Sequence, residues 1–160
     1  MPHRHAAASP TYRTFHPDDS EQVHTLVLSI LESELRDLPK EHHLREIEVI
    51  GDVYGGAREE FWIAEHEGRI IGVLGLKEDD RDSALIQRFF VNPHWRGKSV
   101  GKTLLQKAIA FAKDQGYKRL VFLGHEHMKE AKAMLGKVGF QEEMHLVVPG
   151  AEFFRLSLKI

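Results

Sequence analysis

One segment of the sequence has the residue types of an anion-binding loop. It consists of Arg96, Gly97, Lys98, Ser99, Val100, Gly101 and Lys102. An apolar strand pattern precedes the segment, and a strong helical pattern starts at Val100. The start of a helix carries unpartnered backbone N–H groups and the positive end of the helix dipole, so it can hold a pyrophosphate. Because glycine permits close approach and lysine adds positive charge, we predict a phosphate-binding loop. A capped helix with solvated lysines is the alternative.

Two familiar phosphate motifs do not fit this segment. Residues 97–103 end in Gly-Lys-Thr, but three residues separate the two glycines where a Walker loop has four. Arg96 stands where the first glycine of such a loop would be. The next apolar strand, residues 120–123, runs into Gly124 without an Asp that could hold Mg²⁺. A G-x-G-x-x-G fingerprint is also missing, so the pattern argues against both a P-loop nucleoside triphosphatase and a dinucleotide-binding fold.

Other side chains could exchange protons or bind a substrate. His125, Glu126 and His127 directly follow an apolar strand pattern, and histidine exchanges a proton near neutral pH. We predict His125 and Glu126 as proton carriers; solvated loop residues are the alternative. His125 and His127 could also bind a metal, but no third ligand is evident, so no metal site is predicted. Arg88 interrupts an apolar strand, which predicts a contact with a substrate carboxylate or else a solvent-facing side chain.

The periodicity of the apolar residues predicts a mixed α/β sheet whose first half is antiparallel. Strands are predicted at residues 11–15, 60–65, 69–76, 84–91, 120–123, 144–148 and 153–160. Helices are predicted from Ser20 to before Pro39, around Leu44, Ile47, Ile50 and Tyr54, from Val100 to Gly116, and at residues 129–137. The strand at residues 120–123 is a short continuous apolar run, which is typical of a buried strand parallel to its neighbour.

The composition limits the class of protein. The chain has 160 residues, 42% hydrophobic and 29% charged, which favours one domain over residues 11–160 behind a flexible tail of residues 1–10. A formal net charge of −2 with scattered basic residues argues against a nucleic-acid partner. There is no cysteine, which excludes disulfides and thiol nucleophiles. Without a bilayer-length apolar run or a secretory signal, we expect a cytoplasmic protein with no membrane partner.

The anion-binding loop resembles the central motif of the GNAT superfamily of N-acetyltransferases. That motif is written R/Q-x-x-G-x-G/A and lies at the start of the helix after the fourth strand. Arg96, Ser99 and Gly101 occupy its marked positions, with Ser99 where glycine is usual. A serine keeps the backbone N–H, provided that the position does not require a positive φ. Similar segments follow in the family's order up to Gly139 and Phe140, so the resemblance covers most of residues 11–160.

The resemblance implies transfer of an acetyl group from acetyl-CoA by direct attack in a ternary complex. The acceptor would be a primary amine of a small molecule, an amino acid derivative or a peptide. The implied fold is a GNAT-like single domain whose fourth and fifth strands are parallel and splay apart around the cofactor. The positions beside the pantetheine would then be Phe90, Val91, Leu123 and Gly124. A homodimer is compatible with the sequence, as is a monomer.

The residues that exchange protons in many relatives are missing from this chain. Relatives carry a Tyr about four residues before the Gly-Phe pair, an Asn further upstream, and in some cases a Glu early in the fourth strand. Leu135, Met128 and Leu85 stand at the matching positions, and none of them exchanges a proton. Two hypotheses therefore stay open. The chain is an N-acetyltransferase that uses substitutes such as His125 and Glu126, or it is a non-catalytic acyl-CoA-binding module or sensor.

Overall fold

The computed structural model describes residues 9–34, 45 and 49–160. The strands are β1 (Thr11–Thr14), β2 (Glu60–His66), β3 (Arg69–Glu78), β4 (Ser83–Val91), β5 (Arg119–His125), β6 (Gln141–Val148) and β7 (Ala151–Lys159). The helices in the described residues are α1 (Ser20–Glu34), α2 (Ile50–Val53), α3 (Val100–Asp114) and α4 (Lys129–Val138). Of the second predicted helix, Leu44 and Ile47 lie outside the described residues, as does any continuation of α1 toward Pro39. Most of the predicted tail, residues 1–8, also lies outside them.

All seven strands form one mixed sheet in the order β1-β2-β3-β4-β5-β7-β6. β1 to β4 are antiparallel neighbours; α1 and α2 lie between β1 and β2 in the chain, and tight turns connect β2 to β3 and β3 to β4. β4 and β5 are parallel, and α3 makes the crossover between them. β7 then pairs antiparallel with both β5 and β6. This architecture confirms the predicted α/β class, the antiparallel first half and the parallel fourth and fifth strands.

The helices bury the two faces of the sheet in separate cores. On the face that we call the α1 face, Val23 and Val27 of α1 pack with Ile63 and Val73. On the opposite face, here called the α3 face, Leu104 of α3 belongs to a core cluster with 20 buried members. Eighteen of those members come from α3, α4 and five strands, and two, Tyr117 and Phe140, come from loops. The strand members include Trp62, Leu74, Ile86, Phe122, Phe154 and Leu156. Successive side chains of a strand point to opposite faces, so both cores follow from one alternating pattern.

A β-bulge in β4 opens the sheet between β4 and β5. Val73 is paired with Phe90 and Gly75 with Gln87, so two residues of β4 stand opposite Leu74. One of them, Arg88, has a φ of 52°. β4 pairs with β5 only from Ser83 to Ile86, which ends one residue before the bulged stretch. Because a bulge bends its strand, the ends of β4 and β5 diverge and leave the gap that the family resemblance implied.

In the part of the chain that the structure describes, no helix combines the length and the apolarity that crossing a bilayer requires.

Candidate functional site

The loop between β4 and α3 presents backbone N–H groups at the start of α3. Gly97 has a φ of 74° and Ser99 a φ of 68°, so two residues of this short loop are left-handed. Ser99 is the N-cap of α3, and its carbonyl accepts the N–H of Thr103 at 2.9 Å. The Ser99 side chain makes no capping hydrogen bond among the described residues. The N–H groups of the first turn of α3 therefore stay available to an anion.

The conformation of Ser99 differs from what the sequence analysis assumed. A serine was acceptable at the family's central glycine position provided that no positive φ was required there, and the structure requires one. Left-handed backbone is rare for side chains other than glycine because Cβ approaches a neighbouring carbonyl oxygen. Glycine is usual at this position of the motif, and this preference indicates the left-handed backbone that the structure shows.

Gly97 and Gly101 serve different purposes. Nothing lies within 4 Å of where a Cβ of Gly97 would be, so this side of the loop is open. Gly101 is buried, and its Cβ would lie 2.7 Å from Met134 Cε and 3.3 Å from Phe89 Cζ. Gly101 therefore lets α3 pack against α4 and the bulge, which adds a packing reason to the predicted phosphate contact. Lys98 and Lys102 are exposed beside the open loop, so the residues present fit a pyrophosphate.

Arg96 is held by carboxylates of two helices. Its Nη1 and Nη2 donate to the two carboxylate oxygens of Glu34 at the end of α1, the Nη2 contact being 2.6 Å. Its Nε lies 3.4 Å from Glu130 Oε2 of α4. The hydrogen bonds from Arg96 hold the pKa of Glu34 below its ordinary value, and that of Arg96 is raised. The structure directs Arg96 toward Glu34, and its contact with a phosphate stays a prediction.

The four positions predicted beside the pantetheine lie at the diverging ends of β4 and β5. Phe90 and Val91 are buried in β4, on the far side of the bulge from the paired residues. Leu123 comes directly after the last residue of β5 that pairs with β4, and 57% of it is exposed. A Cβ on Gly124 would lie 2.4 Å from Phe154 Cζ, so packing against β7 requires glycine there.

The two predicted proton carriers lie on different faces of the sheet. The ring of His125 stacks on His127 at 4.6 Å and meets the edge of Phe153, its cross-strand partner on the α1 face. Glu126 Oε1 lies 3.4 Å from Nζ of Lys132, a residue of α4, and 3.8 Å from His145 Nε2. Because α4 packs on the α3 face, Glu126 is directed away from His125. The structure therefore does not bring this pair together as one catalytic unit.

His125 is 5% exposed, and a hydrogen bond selects its tautomer. Its Nδ1 accepts the backbone N–H of His127 at 3.2 Å. A neutral ring that accepts at Nδ1 carries its proton on Nε2.

Two polar residues near the gap escaped the sequence analysis. Tyr54 Oη donates to Gln87 Oε1 at 3.3 Å, on the α1 face just before the bulge. The sequence pattern places Tyr54 in a helical stripe, so its hydroxyl gives no signal of a site, whereas Gln87 stands out as an amide in an apolar strand. Arg88, the predicted substrate contact, is half-buried within the bulge itself. Its place beside the gap agrees with a role toward a substrate, which stays a prediction.

Leu135 is a core residue. It is completely buried and belongs to the core on the α3 face, together with Phe140. Met128 is partly buried against both cores, and Leu85 is half-buried in β4. None of these three side chains exchanges a proton.

Comparisons with known proteins agree on one family. The model of the acetyltransferase (GNAT) family matches residues 27–140. N-acetyltransferase family 8 member 2 of Rattus norvegicus is 31% identical over 100 residues, which are 59% of this chain and 44% of that protein. An uncharacterized N-acetyltransferase of Escherichia coli (strain K12), YjgM, is 29% identical over 92 residues, 56% of this chain and 55% of that one. The chain thus aligns with about half the length of these relatives.

Solved structures of acetyltransferases have the same fold. A GNAT-family acetyltransferase from Staphylococcus aureus Mu50 superposes with a TM-score of 0.83 at 22% identity, covering 94% of this chain and 100% of that one. The acetyltransferase yncA from Salmonella typhimurium, solved with its cofactor acetyl-CoA, superposes with a TM-score of 0.74 at 16% identity, covering 95% and 94%.

Proposed function

Because the chain belongs to the acetyltransferase (GNAT) family, we propose that it transfers the acetyl group of acetyl-CoA to a primary amine of a small molecule, an amino acid derivative or a peptide. The amine nitrogen bonds to the thioester carbonyl carbon in a ternary complex, the C–S bond breaks, CoA leaves as a thiolate, and the amine loses a proton. Family membership confirms the resemblance found in the sequence, the acyltransferase class and acetyl-CoA as the family's donor.

The observation that carries the proposal is the gap between β4 and β5 next to the loop that precedes α3. The parallel pairing ends at Ile86 and Phe122, and the bulge with left-handed Arg88 follows immediately. The loop with left-handed Gly97 and Ser99 lies at the end of the same strand. One continuous path therefore offers N–H groups to a pyrophosphate and unpaired strand edges to an extended chain.

Each part of this path has a proposed role. The N–H groups from Lys98 to Lys102 bind the pyrophosphate, and the two lysines add charge. Main-chain groups near Phe90 and Val91 on one side, and near Leu123 and Gly124 on the other, bind the pantetheine. A backbone N–H near Val91 stabilises the oxyanion that forms during attack.

His125 suits the role of proton donor to the departing thiolate. The proton would come from the imidazolium form of His125, because a neutral imidazole is too weak an acid to protonate a thiolate. In that form Nδ1 also carries a proton, so the hydrogen bond that it accepts from the His127 N–H is given up. Glu126 could act as a base only after leaving Lys132. A CoA thiol with a pKa near that of cysteine, about 8.5, can also leave without an acid at a cost in rate.

A non-catalytic acyl-CoA-binding module or sensor is the second candidate function. Buried Leu135 and the ion pair of Glu126 favour it, because both reduce the supply of proton-exchanging groups at the gap. The module would keep the whole binding path and lack turnover.

Turnover of acetyl-CoA with a panel of amines separates these two functions. Release of the CoA thiol is measured together with the mass of the acetylated product, beside calorimetric binding of acetyl-CoA. Acetylated product supports the enzyme, while binding without product from any amine supports the module. Absence of both binding and product contradicts both.

Paired variants test the role of His125. His125→Gln should lower kcat more at neutral pH than above the thiol pKa, since a donor matters less where the thiolate is stable. His127→Gln is the matched control, because it changes the stacked ring but keeps the N–H that His125 accepts. An equal loss in both variants at all pH values would contradict proton donation by His125.

Three finer expectations belong to the same proposal. We propose a folded domain over residues 11–160 behind a tail of residues 1–10, in keeping with β1 starting at Thr11. The cytosol is the proposed compartment, supported by the lack of cysteine in the sequence. A homodimer and a monomer both stay open.

A further inference from the structure

We infer that the acceptor amine carries an aliphatic or aromatic group, and that this group binds an exposed apolar surface on the α1 face of β5, β7 and β6. The inference rests on the proposed acetyl transfer and names its substrate class. We call this surface the apolar patch. It consists of Leu123, Met144, Leu146, Val148 and Phe153.

The strand register places these side chains on one face. Leu123 and Met144 are both partners of Arg155 in β7, so they lie in one row across the three strands. In the next row, His125 and Leu146 are both partners of Phe153. Val148 is paired with Ala151 further along. Partners on neighbouring strands share a face, so the patch is continuous from β5 to the outer strand β6.

The side chains of the patch are substantially exposed to solvent. Leu123 is 57% exposed, Met144 49% and Leu146 47%, while Val148 and Phe153 are each 37% exposed. Among the described residues, α1 packs on β3 and β4, which leaves this part of the same face uncovered. Large contiguous exposed apolar patches mark interaction surfaces or ligand-binding sites.

The patch is continuous with the gap where acetyl transfer is proposed. Leu123 directly follows Phe122, the last residue of β5 that pairs with β4, so the patch begins at the edge of the gap. It lies on the sheet face opposite α3, whose first turn is the proposed pyrophosphate site. An amine whose apolar body lies on the patch would therefore reach the thioester from the side away from the cofactor's phosphates.

The charges around the patch also favour an apolar acceptor. Arg155 lies between Leu123 and Met144, and its Nε donates to Glu143 Oε2 at 3.1 Å. Glu143 also accepts from the hydroxyl of Ser157. Arg155 and Glu143 thus form a neutral ion pair, so this part of the surface presents no net charge to a charged acceptor. Aliphatic and aromatic groups match the remaining surface.

Two neighbouring positions of β6 allow a matched test. Leu146 lies on the patch and is 47% exposed, whereas Val147 is paired with Glu152 on the opposite face and is 66% exposed. Leu146→Ser and Phe153→Ser remove part of the patch. Val147→Ser is the control, because it removes a similar apolar group from the α3 face. The probes are phenethylamine and ethanolamine, two primary amines that differ in the apolar body.

The full chain is assayed for kcat/KM with both amines, and for amine binding by calorimetry in the presence of CoA. We expect a preference for phenethylamine that Leu146→Ser or Phe153→Ser lowers about tenfold or more, the range of one lost apolar contact in a pocket. Val147→Ser should leave the preference unchanged, as should acetyl-CoA binding in all three variants.

Several outcomes would overturn the inference while leaving the proposed function intact. One is turnover that is equal for both amines or favours ethanolamine. Another is an equal effect of Leu146→Ser and Val147→Ser. A third is unchanged amine preference with a change of oligomeric state in sedimentation, which would assign the patch to a second copy of the chain. If no amine is acetylated, calorimetry distinguishes two cases. Phenethylamine binding that Phe153→Ser abolishes would support the patch as a binding site and contradict the proposed enzymatic function. Absence of phenethylamine binding would contradict the patch as a binding site.

Discussion

Ser99 holds a conformation that its side chain disfavours, at the N-cap of α3. A left-handed residue other than glycine costs about 1–2 kcal/mol relative to ordinary backbone. Serine at this position gains no compensating cap, because its hydroxyl makes no capping hydrogen bond among the described residues. The loop thus holds a strained residue at the proposed anion site and leaves the N–H groups of the first turn of α3 without a side-chain cap from Ser99.

Replacing Ser99 by glycine should stabilise the protein. Ser99→Gly removes the steric cost but adds freedom to the unfolded chain, so we expect a gain of about 0.5–1 kcal/mol in the free energy of unfolding. For a chain of this size, the melting temperature should rise by about 2–3 °C. Ser99→Ala is the control, since it keeps Cβ and should bring no gain. Equal melting temperatures for the two variants would refute the steric explanation.

A tyrosine at position 135 should not restore a proton donor. Leu135 is completely buried in the core on the α3 face, so a phenol there would enlarge a packed site and bury a hydroxyl. We expect Leu135→Tyr to lower the free energy of unfolding by ~1–3 kcal/mol without raising kcat. Leu135→Phe adds the same ring without the hydroxyl and should give the same kcat. A rate gain at neutral pH that is specific to tyrosine, and lost above the thiol pKa, would contradict this expectation.

At the scale of elements, the ion pair of Arg96 joins α1 to the loop before α3. Arg96 and Glu34 are 62 positions apart in the chain, and their two hydrogen bonds link the α1 face to the proposed cofactor site. The pair also uses the cation that the sequence analysis assigned to the phosphates. Because Arg96 holds the pKa of Glu34 below its ordinary value, the contribution of this pair is present above about pH 4.3 and is lost as the pH falls.

This link predicts that Glu34 masks part of the charge of Arg96 toward CoA. Arg96→Ala should weaken CoA binding only slightly in the natural chain and more strongly in a Glu34→Gln background. Lys102→Ala, which removes an exposed cation on the first turn of α3, should show a clear loss at low salt that screening reduces at high salt. Calorimetry of the double-mutant cycle at two ionic strengths measures both effects. Additive losses for Arg96 and Glu34 would show that the pair does not compete with the cofactor.

At the scale of the whole molecule, the order of elements and the sheet polarity were predictable, and the contacts between distant elements were not. The switch of apolar period near Val100 and the run at residues 120–123 indicated a helix between two parallel strands, as observed. The insertion of β7 between β5 and β6 was not predictable, since either strand of that hairpin carries a suitable pattern. Likewise, the ion pairs of Arg96 with Glu34 and of Glu126 with Lys132 depend on tertiary distances that residue spacing does not encode.

The short pairing between β4 and β5 predicts where a bound cofactor stabilises the molecule. Only four residues of β4 pair with β5. A ligand that bridges the diverging ends of these two strands would therefore connect the two halves of the sheet. We expect CoA to slow amide hydrogen exchange near Phe90 and Leu123, and to raise the melting temperature with ligand concentration. The turn between β6 and β7, at Pro149 and Gly150, is the internal control. Protection confined to α3 would place the ligand outside the gap.

The same four-residue pairing also bears on how fast the chain folds. Ser83 and Arg119, the first paired residues, are 36 positions apart, whereas the β2–β3 and β3–β4 hairpins close over short turns. Loop closure over that distance costs entropy before any contact repays it, so contacts between β4 and β5 should form late and limit the refolding rate. The rate-limiting step of folding would then be the pairing of β4 with β5, the same two strands whose ends must stay apart to bind the cofactor.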